Sequence, residues 1–407
     1  MIRILHTADW QIGRQYGRFA PEDAAALAEA RLGTVERIAA LAGEQQVRAV
    51  LVAGDVFDAQ TVSDRTIRRL FNAMEGFAGP WILIPGNHDA ALAESVWSRA
   101  ARLGAIAPHV RVILQPQVLE LPELGLAVLA APLTQRQTHS DLTGWFDSAE
   151  TSCGLRRIGL AHGSVQGLLA DDIDSPNPIA ADRAARARLD YLALGDWHGL
   201  KCVNERCWYS GTPEQDRFKD NGAGQVLLVD LPENGAPQVE AHAVGQFQWQ
   251  RWSEALAVAS DLDRLIERLE QVPASAVLEL QLAGQLDLAS QARLQQAISI
   301  AQGRCRSLQC DLAELRLTPT DADLAALQAD GYLGDAIAEL REHQQLDEGE
   351  AARDALAILA GLLRERQSGK GDHGSQGLPG AQEAQEAQEK QAEAPATEPT
   401  PMREDQA

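Results

Sequence analysis

Short apolar runs, each closed by a polar turn, punctuate the first half of this chain. Ile2 to Leu5, Val50-Leu51-Val52, Trp81-Ile82-Leu83-Ile84, Ile158-Gly159-Leu160 and Tyr191-Leu192-Ala193-Leu194 read as buried strands. Beyond about residue 245 the period changes. Leu262, Leu265, Ile266 and Leu269 recur at helical spacing within residues 256–269, and residues 277–282 alternate as a half-buried strand. A second helix over 290–301 and a second alternating stretch over 307–317 complete an αβαβ order. Residues 321–344 and 350–366 then read as two helices. Leu324, Leu327, Ile337 and Leu340 give the first an apolar side, and Leu356, Ile358, Leu359, Leu362 and Leu363 crowd the second. After Gln367 the chain turns to Gly, Ser, Pro, Ala, Gln and Glu, a composition unable to bury enough apolar surface to offset ordering entropy. The pattern predicts an α/β domain over 1–245, a small α/β domain over 246–318, a helical segment over 319–366 and a disordered tail over 367–407.

The residues that follow the five early runs carry the chemistry. In order they are Asp9-Trp10-Gln11, Gly54-Asp55-Val56-Phe57-Asp58, Gly86-Asn87-His88-Asp89, His162-Gly163 and Gly195-Asp196-Trp197-His198. A single Asp after a strand is more often a turn former or helix cap than a ligand. Five blocks on strand ends differ, because strand ends of an α/β core are where a fold gathers distant residues at one crevice. Their donor types suit two divalent ions roughly 3.5–4 Å apart under one bridging carboxylate, which supply a hydroxide and positive charge at phosphorus. Asp55 is assigned the bridge. Asn87 offers a neutral carbonyl oxygen, His162 and His198 imidazole nitrogens, and Asp9 a terminal carboxylate. His88 has a different role, donating a proton or hydrogen bond to the scissile phosphate or leaving oxygen. Asp58 and Asp89 stand behind the ligands, and one of them orients His88. His6 lies inside the first strand and reads as a hydrogen-bonded core histidine. His109, His139, His242, His343 and His373 lie outside the blocks and read as surface or structural.

At 407 residues with 45% hydrophobic content, the chain can hold one large core and a smaller second one. A net charge of −22 works against phosphate binding by the surface as a whole, and the acidic excess falls mostly beyond residue 245. The basic residues are nearly all arginine, in local groups such as Arg65, Arg68 and Arg69 or Arg183, Arg186 and Arg188. Arg14, Arg18 and Arg217, beside the first and last blocks, are the candidates for phosphate contact, which guanidinium makes bidentately. Cys202 and Cys207, like Cys305 and Cys310, are spaced more widely than a usual zinc pair and lack an accompanying His, so core or cross-strand thiols are expected. The chain opens directly with a strand, shows no charged-then-apolar leader and contains no apolar run long enough to cross a membrane. A cytoplasmic protein is the expectation.

The blocks resemble those of the calcineurin-like metallophosphoesterase superfamily, and within it the SbcD-type DNA repair exonucleases. His6-Thr7-Ala8-Asp9-Trp10-Gln11-Ile12-Gly13-Arg14 is similar to that branch's first motif, and Trp208-Tyr209-Ser210-Gly211-Thr212-Pro213-Glu214 to the segment after its last ligand block. The resemblance covers about residues 1–245 and continues more loosely to about residue 365. It implies an α/β (α+β) fold: a four-layer β-sandwich flanked by helices, with the small αβαβ region as a capping-like domain. It implies two manganese ions, with magnesium as the alternative, and phosphodiester cleavage in DNA. It implies as well a homodimer and an SMC-like ATPase partner of the SbcC type, which the two-helix segment would grip.

Two positions depart from the family pattern. Where that pattern has Asp-x-His and Gly-His-x-His, this chain has Asp9-x-Gln11 and Gly195-Asp196-Trp197-His198. Both replacements are oxygen donors, which favour harder ions over zinc. Asp9, Gln11, Asp55 and His198 would then hold one metal, and Asp55, Asn87, His162 and Asp196 the other, with in-line attack assisted by His88. The expected function is a metal-dependent DNA exonuclease, endonuclease action being open, as the nuclease subunit of an SbcC–SbcD-like complex. Two alternatives stand beside it: a phosphoesterase on a small nucleotide or phosphate ester, and a DNA-end or ATPase-binding scaffold with a degenerate metal site.

Overall fold

Val50, Leu51, Val52 and Ala53 are all apolar, so a strand made of them must be covered on both faces. The architecture does this with two sheets packed face to face and helices outside them. The computed structural model describes residues 1–167, 176–326, 331–344 and 349–369. The chain begins with β1 (Ile2–Thr7), β2 (Val50–Ala53), β3 (Trp81–Ile84) and β4 (Val110–Val112), linked by α1 (Pro21–Glu44), α2 (Asp64–Ala73) and α3 (Val96–Arg102). It continues through β5 (Gln117–Leu121), β6 (Leu126–Ala131), β7 (Arg156–His162), the short β8 (Ser164–Val165) and β9 (Pro178–Ile179), and α4 (Arg183–Arg186). Then come β10 (Tyr191–Gly195), β11 (Lys201–Asn204), β12 (Cys207–Tyr209), β13 (Gln225–Leu231) and β14 (Gln238–Ala243). One six-stranded sheet has the order β14-β13-β1-β2-β3-β4 and the other β11-β12-β10-β7-β6-β5.

Alternate residues of one strand serve two cores. Leu51 and Ala53 join Ile158, Leu160, Tyr191 and Ala193 between the sheets, while Val50 and Val52 face Val35, Ile38 and Leu70 of α1 and α2. The second sheet is covered in turn by Phe146, Ala184 and Ala187, which pack on Leu192 and Leu194. This is the four-layer sandwich that the family resemblance implies, and all five apolar runs lie in strands, as their pattern predicts.

The region after residue 245 differs in one element. A strand, β15 (Gln248–Leu256), precedes α5 (Ala259–Glu270), β16 (Ala276–Leu286), α6 (Leu288–Gln302) and β17 (Ser307–Leu317), so the order is βαβαβ rather than αβαβ. β15 escapes a period-two search because its buried residues are Trp249, Trp252 and Leu256, spaced three and four apart among polar ones. The three strands form one sheet in the order β15-β16-β17, with β15 parallel to β16. Met1–Gly284 and Arg293–Leu315 form one compact unit. Within it Trp249 stacks near Tyr16 and Phe19, with ring centroids 6.1 and 5.4 Å away. Buried Glu214 adds polar ties: its carboxylate accepts from the backbone N–H of Gln246 (2.7 Å) and Phe247 (3.0 Å) and from Thr34 Oγ1 (2.5 Å).

The second compact unit comprises Gln285–Ala292 and the described residues from Arg316 onward. Its helices are α7 (Asp321–Ala326), α8 (Tyr332–His343) and α9 (Gly349–Gly369), around Leu288, Leu324, Ile337, Leu356 and Ala360. The single helix expected over 321–344 is thus two, and α8 starts from Gly331 at φ +63°, a left-handed conformation that no α-helix contains. Leu327 lies outside the described residues. The helix expected over 350–366 runs on to Gly369, and the tail from residue 370, including His373, lies outside the described residues.

Glu214→Ala leaves the buried Phe247 N–H and the part-buried Gln246 N–H without their acceptor and is expected to cost about 2 kcal/mol of stability, read from the urea unfolding midpoint. Glu214→Gln keeps an acceptor and should lose less.

Candidate metal centre

The loops that follow β1 and β2 keep pairing after the strands end. Asp9 N–H donates to Gly54 O (3.0 Å), Gln11 N–H to Asp55 O (2.8 Å) and Ile12 N–H to Val56 O (2.9 Å). Holding both turns together in this way puts Asp9, Gln11 and Asp55 at φ +55°, +45° and +52°, and Asp196 after β10 lies at +98°. Left-handed backbone at four non-glycine residues of one crevice is strain of the kind that collects at functional sites. Asp89 clips the next loop to these. Its buried carboxylate accepts from Gly86 N–H (2.7 Å), Val56 N–H (2.9 Å) and Phe57 N–H (3.1 Å). Burial and the neighbouring Asp55 push its carboxyl up to about 7.

His162, at the end of β7, is the hub. Its Nδ1 donates to Ala53 O at 2.8 Å, which turns Nε2 toward the crevice. Nε2 lies 2.8 Å from Asn87 Oδ1, 3.6 Å from Asp55 Oδ1 and 3.7 Å from Asp196 Oδ1. Glycines make the approach possible: a Cβ at Gly54 would stand 2.3 Å from His162 Nδ1, and one at Gly195 would stand 2.0 Å from Ala53 O. Asp9, Asp55 and His162, all buried, bring their donor atoms within 4.8 Å of one another. Burial alone would depress the His162 imidazole, but Asp55, Asp9 and Asp196 outweigh it and raise it to about 9. Burial likewise drives Asp9 up from its ordinary value, against the pull of His198 and His162. A cavity this rich in negative charge and neutral oxygen suits a divalent ion, and Asn87 and Asp196 add oxygens 2.8 and 3.7 Å from His162 Nε2 to the group of Asp9, Asp55 and His162.

The other set is arranged differently. Gln11 Oε1 accepts from Arg14 at 2.5 Å, and Gln11 Nε2 lies 3.2 Å from His198 Nε2. For Gln11 to offer oxygen to an ion, its amide must turn and Arg14 must release it. Behind His198 lies a buried charge network that the motifs do not reveal. Asp216 Oδ2 stands 3.3 Å from His198 Nδ1, 3.3 Å from Arg31 NH2 and 3.4 Å from Arg14 NH1, and Arg217 Nε donates to Oδ1 at 3.0 Å. Burial would raise the Asp216 carboxyl, but His198, Arg31 and Arg217 prevail and hold it well below the usual carboxylate range. Arg31 is also buried, donating to Tyr16 Oη (2.8 Å) and Trp10 O (2.7 Å). The one sequence signal for Asp216 is its place just past the Trp208–Glu214 motif.

His88 is oriented by Asp58, through its backbone: Nδ1 donates to Asp58 O at 2.7 Å. The Asp58 carboxylate faces Arg14 instead, at 3.6 Å. His88 Nε2 is left on the open side of the crevice, 4.0 Å from Asp55 Oδ2. Of the expected phosphate contacts, Arg14 and Arg217 are tied to Asp216, with Arg217 NH2 also 2.8 Å from His198 Nδ1, while Arg18 lies against the rings of Phe19 and Phe218. His6 is a core residue as read, 2.9 Å from Tyr191 Oη and 3.1 Å from Leu194 O, and burial lowers it to about 3. Cys202 and Cys207 are free thiols on the paired strands β11 and β12, and Cys305 and Cys310 are free as well.

Two face-to-face mixed sheets, with carboxylates, an amide and imidazoles gathered at their strand ends, define a hydrolase of phosphate esters built around a candidate metal site. Residues 2–229 match the calcineurin-like phosphoesterase family, and the chain belongs to it. Among characterised proteins it is 25% identical over 335 residues to the D subunit of the nuclease SbcCD from Bacillus subtilis (strain 168), covering 73% of this chain and 83% of that one. It is 42% identical over 95 residues to the D subunit of the same nuclease from Rhodobacter capsulatus, covering 22% of each. A solved structure from Thermus thermophilus aligns with 60% of this chain and 99% of its own, at 14% identity and a TM-score of 0.38, too low to add to the family match.

With His162 at about 9, a divalent ion must displace the proton on Nε2. The affinity for a divalent ion is therefore expected to rise with pH up to about 9, with about one proton released per ion at neutral pH. Calorimetry in buffers of different ionisation enthalpy counts that proton, and His162→Ala should lower both the count and the affinity; an unchanged affinity would remove His162 from the ligand set. For Asp216 the folded carboxyl titrates below the unfolded value of about 3.9, so its stabilisation is present above that pH and is lost as pH falls below it. Asp216→Asn should flatten the acid limb of stability below about pH 4, as read by urea midpoints across pH.

Proposed function

We propose that this protein is a manganese-dependent DNA exonuclease, the nuclease subunit of an SbcC–SbcD-like complex in DNA repair and recombination, working in the cytoplasm. The main support is the reach of the alignment to the Bacillus subtilis relative. At 335 residues it extends well beyond the span matched to the phosphoesterase family, and that relative is named a nuclease subunit. A small-ester hydrolase confined to the sandwich would leave the rest of that likeness unexplained.

In this proposal Asp55, Asn87, His162 and Asp196 would hold one divalent ion, and Asp9, Gln11, Asp55 and His198 would hold the other. Two such ions, when bound, supply a hydroxide and positive charge at phosphorus, and magnesium is the alternative to manganese. His88 presents Nε2 to the substrate phosphate, because Nδ1 is committed to Asp58 O, and it donates to the leaving oxygen. Asp89 keeps Asp55 and Asn87 in register by joining their loops. The partner would be an SMC-like ATPase. Ile358 and Leu362, four residues apart on α9 and 64% and 59% exposed, suit a helix that docks in an apolar groove. A homodimer belongs to the same proposal. No described helix is long and apolar enough to cross a membrane.

One observation favours a second reading. Gln11 is engaged by Arg14 and His198, which suits a site of one ion or a binding scaffold.

The test is cleavage of end-labelled duplex and single-stranded DNA in manganese, magnesium and metal-free buffer. Manganese-dependent cleavage is expected, with His88→Ala lowering kcat by about 10²–10⁴. Cleavage of bis(p-nitrophenyl) phosphate without cleavage of DNA would redirect the substrate. Inertness toward both, with manganese bound, would favour the scaffold.

A further inference from the structure

Lysine is scarce in this chain: four residues against thirty-two arginines. Among the described residues the lysines are Lys201 and Lys219, and both stand over one ring. Their ammonium groups lie 4.8 and 5.6 Å from the centroid of Trp197, the residue between Asp196 and His198 of the metal centre. Neither makes an ion pair with a described carboxylate, whereas Arg14, Arg31 and Arg217 all share Asp216. In a protein of charge −22, two ammonium groups without a counter-charge beside a phosphoesterase centre need a reason.

The same surface continues away from the centre. Phe218 precedes Lys219, and its ring has Arg18 at 5.0 Å and Arg251 at 5.8 Å. Phe218, Lys219, Arg251, Trp252 and Arg268 line one groove of about 550 Å³, with Arg268 at 3.8 Å from the Trp252 ring. Trp249 and Trp252 are buried and serve as anchors for arginine, while Trp197 and Phe218 are half-buried and keep ring surface available. Arg251 and Arg268 are paired with Glu279 and Glu254, and Asp220 lies on the groove wall. The uncompensated charge is therefore concentrated on Arg18, Lys201 and Lys219, at Phe218 and Trp197.

Cations interleaved with partly open rings are what an unpaired polynucleotide strand requires, since phosphates meet the cations and bases meet the rings. A duplex keeps its bases stacked inside and could use the charges but not the rings. A small phosphate ester would reach the first cation and leave the rest of the groove idle. We propose that Trp197, Lys201, Lys219, Phe218 and Arg18 form a single-strand track that carries one unpaired DNA strand between the groove and the metal centre. This rests on the nuclease reading above and names the form in which substrate reaches the site.

The experiment is fluorescence anisotropy of a labelled oligothymidylate and of a duplex of equal length, in metal-free buffer over a salt series, with the full chain. Wild type should prefer the single strand. Lys201→Gln combined with Lys219→Gln should weaken single-strand binding at least tenfold and reduce the log–log salt slope by about 1.4, at about 0.7 per phosphate released. Lys201→Arg with Lys219→Arg should restore the slope, which a merely structural role for the lysines would not predict. Phe218→Leu should weaken single-strand binding about five- to tenfold, near the low end for loss of one stacked base, with the salt slope unchanged. Equal binding of duplex and single strand, or an unchanged slope in the glutamine pair while DNA is still cleaved, overturns the track and leaves the nuclease reading standing. Absence of both binding and cleavage overturns both.

Discussion

The hydrogen bond from His162 Nδ1 to Ala53 O, 2.8 Å long, crosses from the second sheet to the first at the point where both present their strand ends. Much of the centre depends on it. It selects the imidazole tautomer, directs Nε2 to Asn87, Asp55 and Asp196, and requires glycine at 54 and 195 so that the two sheets can close to this distance. A layer of apolar side chains holds the sheets together along their length, but that attraction has no direction. The imidazole supplies the direction, and so converts a generic sandwich into a site with defined donor positions.

Around that hub the backbone is held away from comfortable geometry. Asp9, Gln11, Asp55 and Asp196 adopt positive φ; the ladder between the β1 and β2 loops, with the three N–H bonds to Asp89, over-determines the first three, and the Asp9 carboxylate accepts from the Asp196 N–H. The buried apolar cores on both sides of the first sheet provide the stability that the strained loops draw on. Asp9, Asp55 and His162 are thereby placed together by the fold itself, the preorganisation that an electrostatic site needs.

Charge is handled locally rather than globally. Asp216 gathers Arg14, Arg31 and Arg217 behind His198, so the arginines nearest the centre are largely committed to structure. The lysines and Arg18 are held by aromatic rings instead, which fix a cation in place without neutralising it. This division explains how a chain of charge −22 can still present a positive edge beside the site.

Apolar runs too short for helices and uninterrupted by polar residues point to strands covered on both faces, so the five early strands were legible in the sequence, while their four-layer arrangement was expected from the family resemblance. Part of the candidate site was legible too, because Asp, Asn and His in turns after strands are few chemical types in a fixed order, and the chain brings Asp9, Asp55 and His162 of those blocks together. β15 was not legible, since Trp249, Trp252 and Leu256 are buried by partners on distant elements and not by alternation. Nor was the break before α8, where apolar spacing continues past a single left-handed glycine. Linear order could not reveal that Arg14 turns toward Gln11 and Asp216, or that Lys201 and Lys219 share Trp197. Periodicity and residue chemistry are local properties, so the buried strands and the donor types follow from the chain alone. Which donor faces which was settled by folding, because it depends on two sheets meeting at one end, and on the counter-charge each arginine or lysine finds there.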